Sequence, residues 1–116
     1  MKAVLITALG GCAVVDPADL SAMQDIVGGL VEPVCVKTHG VRVDVWVNEE
    51  GLVVDLPKNE AARSALLRLA ESGQMDWYPL GDVFVTGCVD DDGETLPVPD
   101  GIARLLVQHV REWRGR

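Results

Sequence analysis

The segment Val41–Asn48 alternates between valine and other side chains, and this pattern constrains the fold more than any other feature of the sequence. Between the valines stand Arg42, Asp44, Trp46 and Asn48. Because successive side chains of a β-strand point to opposite faces, the segment is predicted to be a strand whose valines face the core. The opposite face then carries a cation, an anion, an indole and an amide in a row.

Other segments predict that this strand belongs to a sheet built from hairpins. Pro33 lacks an amide donor, so its strand is predicted to lie near an edge. The pattern favours an α+β fold, with a mainly antiparallel sheet and two or three helices packed on one of its faces, including a C-terminal amphipathic helix. The further segments with strand-forming composition are Ala3–Thr7, Cys12–Val15, Val31–Lys37, Leu52–Leu56 and Val83–Val89.

Three helices are predicted from capping residues and apolar periodicity. Asp16, followed by a proline, suits the start of the first helix, and Gly28 and Gly29 suit its end. Asn59 is the predicted N-cap of the second helix, and Asp100 that of the third. The apolar residues at helical spacing are Leu20, Met23, Ile26 and Val27, then Ala62, Ala65, Leu66 and Leu69, then Ile102, Leu105, Leu106, Val110 and Trp113.

The most polar stretch, VNEEGLVVDLPKNEAA at residues 47–62, favours backbone turns over catalysis. Asn48–Gly51 fits a type I turn, and Gly51 permits a bulge that leads into a returning strand. Adjacent glutamates on a turn point apart, whereas a catalytic carboxylate pair must face each other across a substrate. Gly81 and Asp82 also fit a turn, and Asp82 is the residue that an enzyme hypothesis would test. No catalytic residue is predicted.

The length of 116 residues and the mass of 12.5 kDa predict a single domain over residues 1–116, with a C-terminal helix and basic tail over 99–116. The formal net charge is −8, and the rest of the chain is more acidic still because the tail carries four arginines. An acidic body repels phosphate backbones, so direct nucleic-acid binding is not expected.

The cysteines and histidines predict no metal site and no cofactor. Cys12, Cys35 and Cys88 contain no CxxC pair, and three reduced, buried thiols are the simplest interpretation. A tetrahedral zinc site could in principle combine Cys35, His39, Cys88 and His109, but their spacing matches no structural zinc pattern. His109 is instead expected to be packed and hydrogen-bonded.

The N-terminal residues MKAVLITALGGC allow two interpretations. Leu9–Cys12 resembles a lipoprotein cleavage box, but the preceding apolar run is short and contains a single lysine. Gly10 and Gly11 also suit the turn of a hairpin, and we favour that interpretation. No apolar run approaches the roughly 20 residues of a membrane helix, so no membrane association is predicted.

Several motifs together resemble a known family. The N-terminal strand pair, DIVGGLVEPV, VNEEGLVVDLPKNEAA and LGDVFVTG, in this order, resemble small proteins encoded by bacteriophages, plasmids and actinobacteria that are classified only as a domain of unknown function. The resemblance covers Lys2–Gly87. It implies a phage-type accessory protein in the bacterial cytoplasm, and it supplies no catalytic residues. The matching structural positions are Gly28, Gly29, Asn48, Gly51, Asn59, Gly81 and Asp82.

Our first functional hypothesis is a non-enzymatic protein that binds a host or defence component. Tryptophan and arginine are enriched in interface hot spots, so the predicted binding residues are those facing away from the valines, Arg42, Asp44, Trp46 and Asn48. The alternative is that a helix or loop covers this face, which would assign Trp46 to the core. An exposed strand edge or the Trp113 face could also support a homodimer.

Two further hypotheses concern other partners. A protein that sequesters a nucleotide needs convergent donors, a cation and a stacking aromatic ring; Arg42 with Trp46, or Arg63 with Lys58, are the candidates. The acidic body disfavours such a small-molecule ligand. An acidic DNA mimic needs carboxylates in phosphate-like rows, whereas the acids of this chain are dispersed over turns and helix starts.

Overall fold

The computed structural model describes residues 2–38 and 40–113, which form one antiparallel sheet and three helices. This architecture confirms the predicted α+β class and the C-terminal helix. In chain order the elements are β1 Ala3–Ile6, β2 Cys12–Val15, α1 Leu20–Val27, β3 Val31–Thr38, β4 Val41–Asn48, α2 Glu60–Leu69, β5 Val83–Gly87 and α3 Asp100–Glu112.

The strands lie in the order β2-β1-β5-β4-β3, so the last strand of the chain is the centre of the sheet. Two hairpins, β1–β2 and β3–β4, are joined only through β5, which pairs antiparallel with β1 and with β4. Every residue of β5 is buried. β3 is an edge strand, as Pro33 predicted.

One face of the sheet packs against α2 and α3. Val43, Val45 and Val47 of β4 point to this side, which confirms the period-two interpretation of the strand. The two helices contribute small and branched side chains that allow close approach to the sheet. Their buried residues here are Ala61, Ala62, Ala65, Leu66 and Leu69 from α2, and Ala103, Leu106 and Val110 from α3.

The other face of the sheet packs against α1. Met23 and Val27 of this helix form a second buried cluster with Ala3, Trp46 and Phe84. The expectation that the helices share one face is therefore wrong. The amphipathic α1 connects the β1–β2 hairpin to the β3–β4 hairpin. It crosses the face of the sheet opposite to the one that α2 and α3 cover.

The predicted strand Leu52–Leu56 is also wrong, because this segment forms consecutive turns. The amide of Val54 donates to the carbonyl of Glu50 at 2.9 Å, and that of Leu56 donates to Gly51 at 2.9 Å. Asp55 adopts a left-handed φ of 56°. A strand here would have to pair with β4, but β3 and β5 already occupy both edges of β4.

The helix ends follow the sequence signals with two changes. Asp19 caps α1, not Asp16: its carboxylate accepts from the amide of Ala22 at 2.9 Å. Gly28 ends that helix with a left-handed φ of 82°, as predicted. Asp100 does not cap α3 but lies in its first turn, after Pro99. Within the described residues, no helix is long and apolar enough to cross a membrane.

Candidate functional site

The four predicted binding residues do not form an exposed stripe. Asp44, Trp46 and Asn48 are only 8%, 9% and 9% exposed, whereas Arg42 is exposed. For Trp46 and Asn48 the physical reason is α1: Met23 and Val27 pack with Trp46, and Asn48 Nδ2 donates to the Val27 carbonyl at 3.4 Å. The alternative considered from the sequence, a covered face, is the one that the structure shows.

The polar atoms of Trp46 and Asn48 serve the fold. The indole Nε1 donates to Thr86 Oγ1 at 2.8 Å, and both groups are buried. Asn48 Oδ1 accepts from the amide of Glu50 at 2.8 Å, and the amide of Gly51 donates to the Asn48 carbonyl at 3.1 Å. These two bonds confirm the predicted turn at Asn48–Gly51.

Asp82 likewise has a structural partner. Its Oδ1 accepts from the amide of Ala8 at 3.0 Å, so it links the β1–β2 turn to the start of β5. Gly81 has a left-handed φ of 72°, and its amide donates to the carbonyl of Pro57 at 2.7 Å. Both residues form the turn that the sequence predicted.

The same sheet face also carries a cluster of metal-ligand types. Cys35 of β3 pairs with Asp44 of β4, and Cys88 directly follows β5. The two Sγ atoms and an Asp44 carboxylate oxygen all lie within 4.8 Å of one another. Cys35 is exposed, Asp44 is buried and Cys88 is half-buried. We call these three residues the Cys35–Asp44–Cys88 cluster.

Burial sets the electrostatics of this cluster. It raises the pKa of the Asp44 carboxyl. It also raises the pKa of the Cys88 thiol, and the Asp44 charge and Cys35 raise that pKa further, while the Arg42 guanidinium acts to lower it. The contact from Cys88 Sγ to Asp44 Oδ1 is long, at 4.0 Å. The carboxylate is therefore weakly compensated in the absence of a cation.

Replacing Asp44 by Asn is expected to raise the thermal midpoint of the metal-free protein at neutral pH. Because the folded-state pKa of Asp44 lies above its unfolded value, the stability that it contributes is full in acid and is lost as pH rises through the raised pKa. The neighbouring groups are Cys35, Cys88 and Arg42. Thermal unfolding with a chelator, from acid to neutral pH, measures the difference, which should vanish in acid.

The matched control for that measurement is Asp91→Asn, which removes an exposed carboxylate. It should give no comparable gain at neutral pH. An equal gain in both variants would show that the effect comes from the net charge of the protein and not from the burial of Asp44.

The four residues of the zinc site that the sequence analysis considered and disfavoured are only partly brought together. Cys35 and Cys88 meet, but His109 is buried on α3, which packs on the opposite face of the sheet. His39 lies outside the described residues. Asp44 is the member of the cluster that sequence reasoning missed. The expectation that all three cysteines are buried is wrong, because Cys35 is exposed and Cys12 and Cys88 are only half-buried. His109 is packed as predicted, but its Nδ1 has no hydrogen-bond partner among the described residues and lies 3.6 Å from Glu112.

A second candidate site lies beside the turn at Leu52–Val54. These three apolar side chains are 85%, 84% and 52% exposed. Leu52 lines a groove of about 390 Å³, and Val53 and Val54 follow it in the same turn. The groove lies between the open end of the β3–β4 hairpin, where β4 ends, and the segment before β5. We call it the Leu52 groove. Its main lining residues are Val34, Val47, Leu52, Trp77, Tyr78 and Leu80.

Charged groups around Tyr78 define one wall of the Leu52 groove. The Lys58 Nζ lies 5.0 Å from the centre of the Tyr78 ring, and the Arg63 guanidinium carbon lies 4.7 Å from it. The Tyr78 hydroxyl donates to the Glu60 carboxylate, and this hydrogen bond raises the pKa of Tyr78 more than burial does. Tyr78 is therefore already in contact with Lys58, Arg63 and Glu60.

Of the two residue pairs considered for nucleotide binding, one is not brought together and the other is. Arg42 is exposed and Trp46 is buried, so they do not form a stacking pair. Arg63 and Lys58 do lie together, but against Tyr78. A separate groove of about 690 Å³ lies between β2 and α3. Its lining includes three cations, Lys2, Arg104 and Arg111, two acids, Asp100 and Glu112, and the apolar residues Val14 and Val107.

Comparison with known proteins assigns the family. The family model described as domain of unknown function DUF3846 matches residues 1–111 of this chain. The chain belongs to the DUF3846 family. This match covers the Leu52 groove, the Cys35–Asp44–Cys88 cluster and nearly all of α3. Searches of curated proteins and of solved structures gave no match for this DUF3846 protein.

Proposed function

We propose that this DUF3846 protein is a non-enzymatic binding protein that captures a basic, apolar segment of a partner protein in the Leu52 groove. The observation that carries the proposal is the run of exposed apolar side chains at Leu52–Val54 beside an apolar groove. Contiguous exposed apolar surface of this kind is typical of interaction sites. Trp77 supplies large, half-buried aromatic surface of the type found at binding hot spots.

The charges around the Leu52 groove favour a basic partner. Glu32 and Glu49 line it, Glu50 and Asp55 are exposed beside it, and Lys58 is the cation that faces them within the described lining. The chain as a whole has a formal charge of −8. Such a surface attracts cationic segments and repels acidic ones.

One further argument supports binding without catalysis, and another supports a partner inside a bacterial cell. The polar groups nearest the groove, on Lys58, Glu60, Arg63 and Tyr78, contact one another, as a structural cluster does. The resemblance to proteins of bacteriophages, plasmids and actinobacteria supports a host or defence component in the bacterial cytoplasm as the partner. In this proposal the protein acts by covering that component.

Replacing Leu52 and Val53 together by Ser is expected to weaken binding of a labelled basic–apolar peptide at least about tenfold. Burying two such side chains contributes about 1.5–3 kcal/mol each, and about 1.4 kcal/mol already corresponds to tenfold. Both side chains are solvent-exposed, so the thermal midpoint should change little. Fluorescence anisotropy with the full chain measures the affinity, and circular dichroism measures the midpoint.

The matched control is Leu9→Ser, which removes another apolar side chain, 97% exposed in the β1–β2 turn. This variant should bind the peptide as the wild type does. An acidic–apolar peptide of the same length should bind more weakly, and added salt should reduce the affinity of the basic one. Equal binding of both peptides, or unchanged binding by the double variant, would contradict the proposal, as would a stable homodimer that buries the groove.

A second candidate function is sequestration of an anionic small molecule, and the groove between β2 and α3 favours it. Lys2, Arg104 and Arg111 line it together with Val14 and Val107, and these cations outnumber its two acids, Asp100 and Glu112. Cations next to apolar walls suit a ligand with an acidic group and an apolar body. This alternative requires an anionic compound that co-purifies with the protein and is released on denaturation, as seen by mass spectrometry.

A further inference from the structure

The ligand atoms of the Cys35–Asp44–Cys88 cluster are already near the spacing of a metal site. The atoms of all three pairs lie within 4.8 Å. Zinc bonds of about 2.3 Å to sulfur and 2.0–2.2 Å to oxygen place tetrahedral ligand atoms roughly 3.4–3.8 Å apart. A contraction of about 1 Å, within reach of side-chain rotation, would complete that geometry.

A disulfide between Cys35 and Cys88 fits the same positions less well. β4 lies between β3, which carries Cys35, and β5, which ends one residue before Cys88, so the two backbones are separated by about two strand spacings, roughly 9–10 Å. A disulfide needs Cα atoms within about 7 Å of each other. An ion between the two sulfur atoms spans the extra distance without movement of the sheet.

The surroundings of the cluster suit a cation of thiophilic type. Asp44 is buried, and the hydrogen bond that its carboxylate accepts from the Cys88 thiol is long, at 4.0 Å. A buried carboxylate in this position is stabilised by a bound cation. Two thiolates select zinc and similar soft or borderline ions over Mg²⁺ and Ca²⁺, which prefer oxygen ligands.

We propose that Cys35, Asp44 and Cys88 bind a thiophilic divalent metal ion, with Zn²⁺ the best match to two sulfur ligands and one oxygen ligand. Cys35 is exposed, so a water molecule or a partner's side chain can reach the fourth coordination position. The site is independent of the proposed peptide groove, because Val34 and Cys35 point to opposite faces of β3.

The experiment uses the reduced full-length chain and Co²⁺ as a spectroscopic substitute for Zn²⁺. We expect one Co²⁺ per chain, thiolate-to-cobalt charge-transfer absorption, and loss of that absorption when Zn²⁺ is added. Cys35→Ser should weaken binding more than about 100-fold, beyond the 10–100-fold range for residues that only support a ligand. Asp44→Asn should weaken it at least about tenfold while leaving the charge-transfer absorption in place.

The control is Cys12→Ser, which removes the remaining cysteine, on β2. Because Cys35 is exposed, its variant should fold, and thermal unfolding without metal checks this. Zn²⁺ should raise the midpoint of the wild type and of Cys12→Ser, but not that of Cys35→Ser. Absence of the charge-transfer absorption, equal weakening in Cys12→Ser and Cys35→Ser, or a Cys35–Cys88 disulfide that forms in place of metal uptake would each overturn the proposal.

Discussion

Replacing Asn59 by Ala is expected to lower the free energy of unfolding by about 3–5 kcal/mol, one of the two largest effects that we predict. The Asn59 side chain is fully buried, and its Nδ2 donates to the carbonyls of Ile6 and Gly81 at 2.9 and 2.8 Å. Its Oδ1 caps α2 by accepting from the amide of Ala62 at 2.9 Å. Alanine would remove the cap and leave both carbonyls without this donor.

Chemical denaturation followed by circular dichroism measures this loss. Asn59→Ser keeps a capping oxygen and should recover about 1 kcal/mol of it. Asp19→Ala is the matched control, because Asp19 caps α1 from an exposed position and its loss should cost only about 1 kcal/mol. If Asn59→Ala costs no more than Asp19→Ala, the two buried carbonyl bonds contribute little and our interpretation of Asn59 is wrong.

Replacing Trp46 by Ala is expected to lower the free energy of unfolding by about 3–5 kcal/mol, as for other buried large-to-small changes. The indole packs with Met23, Val27 and Phe84, and its Nε1 donates to Thr86 at 2.8 Å. The substitution leaves a cavity between α1 and the sheet and removes one partner of the Thr86 hydroxyl. The same denaturation measurement applies.

Two variants separate packing from hydrogen bonding at this position. Trp46→Phe keeps most of the apolar contact and loses the bond to Thr86, so its cost should be about 0.5–1.5 kcal/mol. Trp77→Ala removes a half-buried indole and should cost less than Trp46→Ala. If Trp46→Ala lowers the free energy of unfolding by less than about 1 kcal/mol, Trp46 behaves as a surface residue and our assignment of it to the core is wrong.

The sequence predicted what depends on local chemistry. The alternation in β4, the end of α1 at Gly28 and the cap at Asn59 each depend on residues that lie within a few positions of one another in the sequence. The sequence did not show what covers the second face of β4, because that depends on where α1 crosses the sheet. The burial of Asp44, Trp46 and Asn48 is a tertiary effect, and period-two patterning is the same for a solvated face and a covered one.

The wrongly predicted strand at Leu52–Leu56 and the missed Cys35–Asp44–Cys88 cluster have the same cause: both depend on how strands far apart in the sequence pair in the sheet. Leu52–Leu56 has the composition of a strand, yet β5 takes the position beside β4 that it would need. Cys35 lies on β3 and Cys88 directly follows β5. The two residues meet because β4 pairs with both of these strands. Neither outcome leaves a short-range signal in the sequence, and the exposed turn at Leu52–Val54 follows from the first of them.

The central position of β5 has a consequence for how this protein emerges from the ribosome. The two hairpins made first have no shared edge, and each is too small to be stable alone. The edges of β1 and β4 stay unpaired until β5, which ends at Gly87, has been made. The sheet can therefore form only after most of the chain has been synthesised. A nascent chain stopped before Val83 should therefore remain open to proteases, and only elongation past Gly87 should protect the N-terminal half.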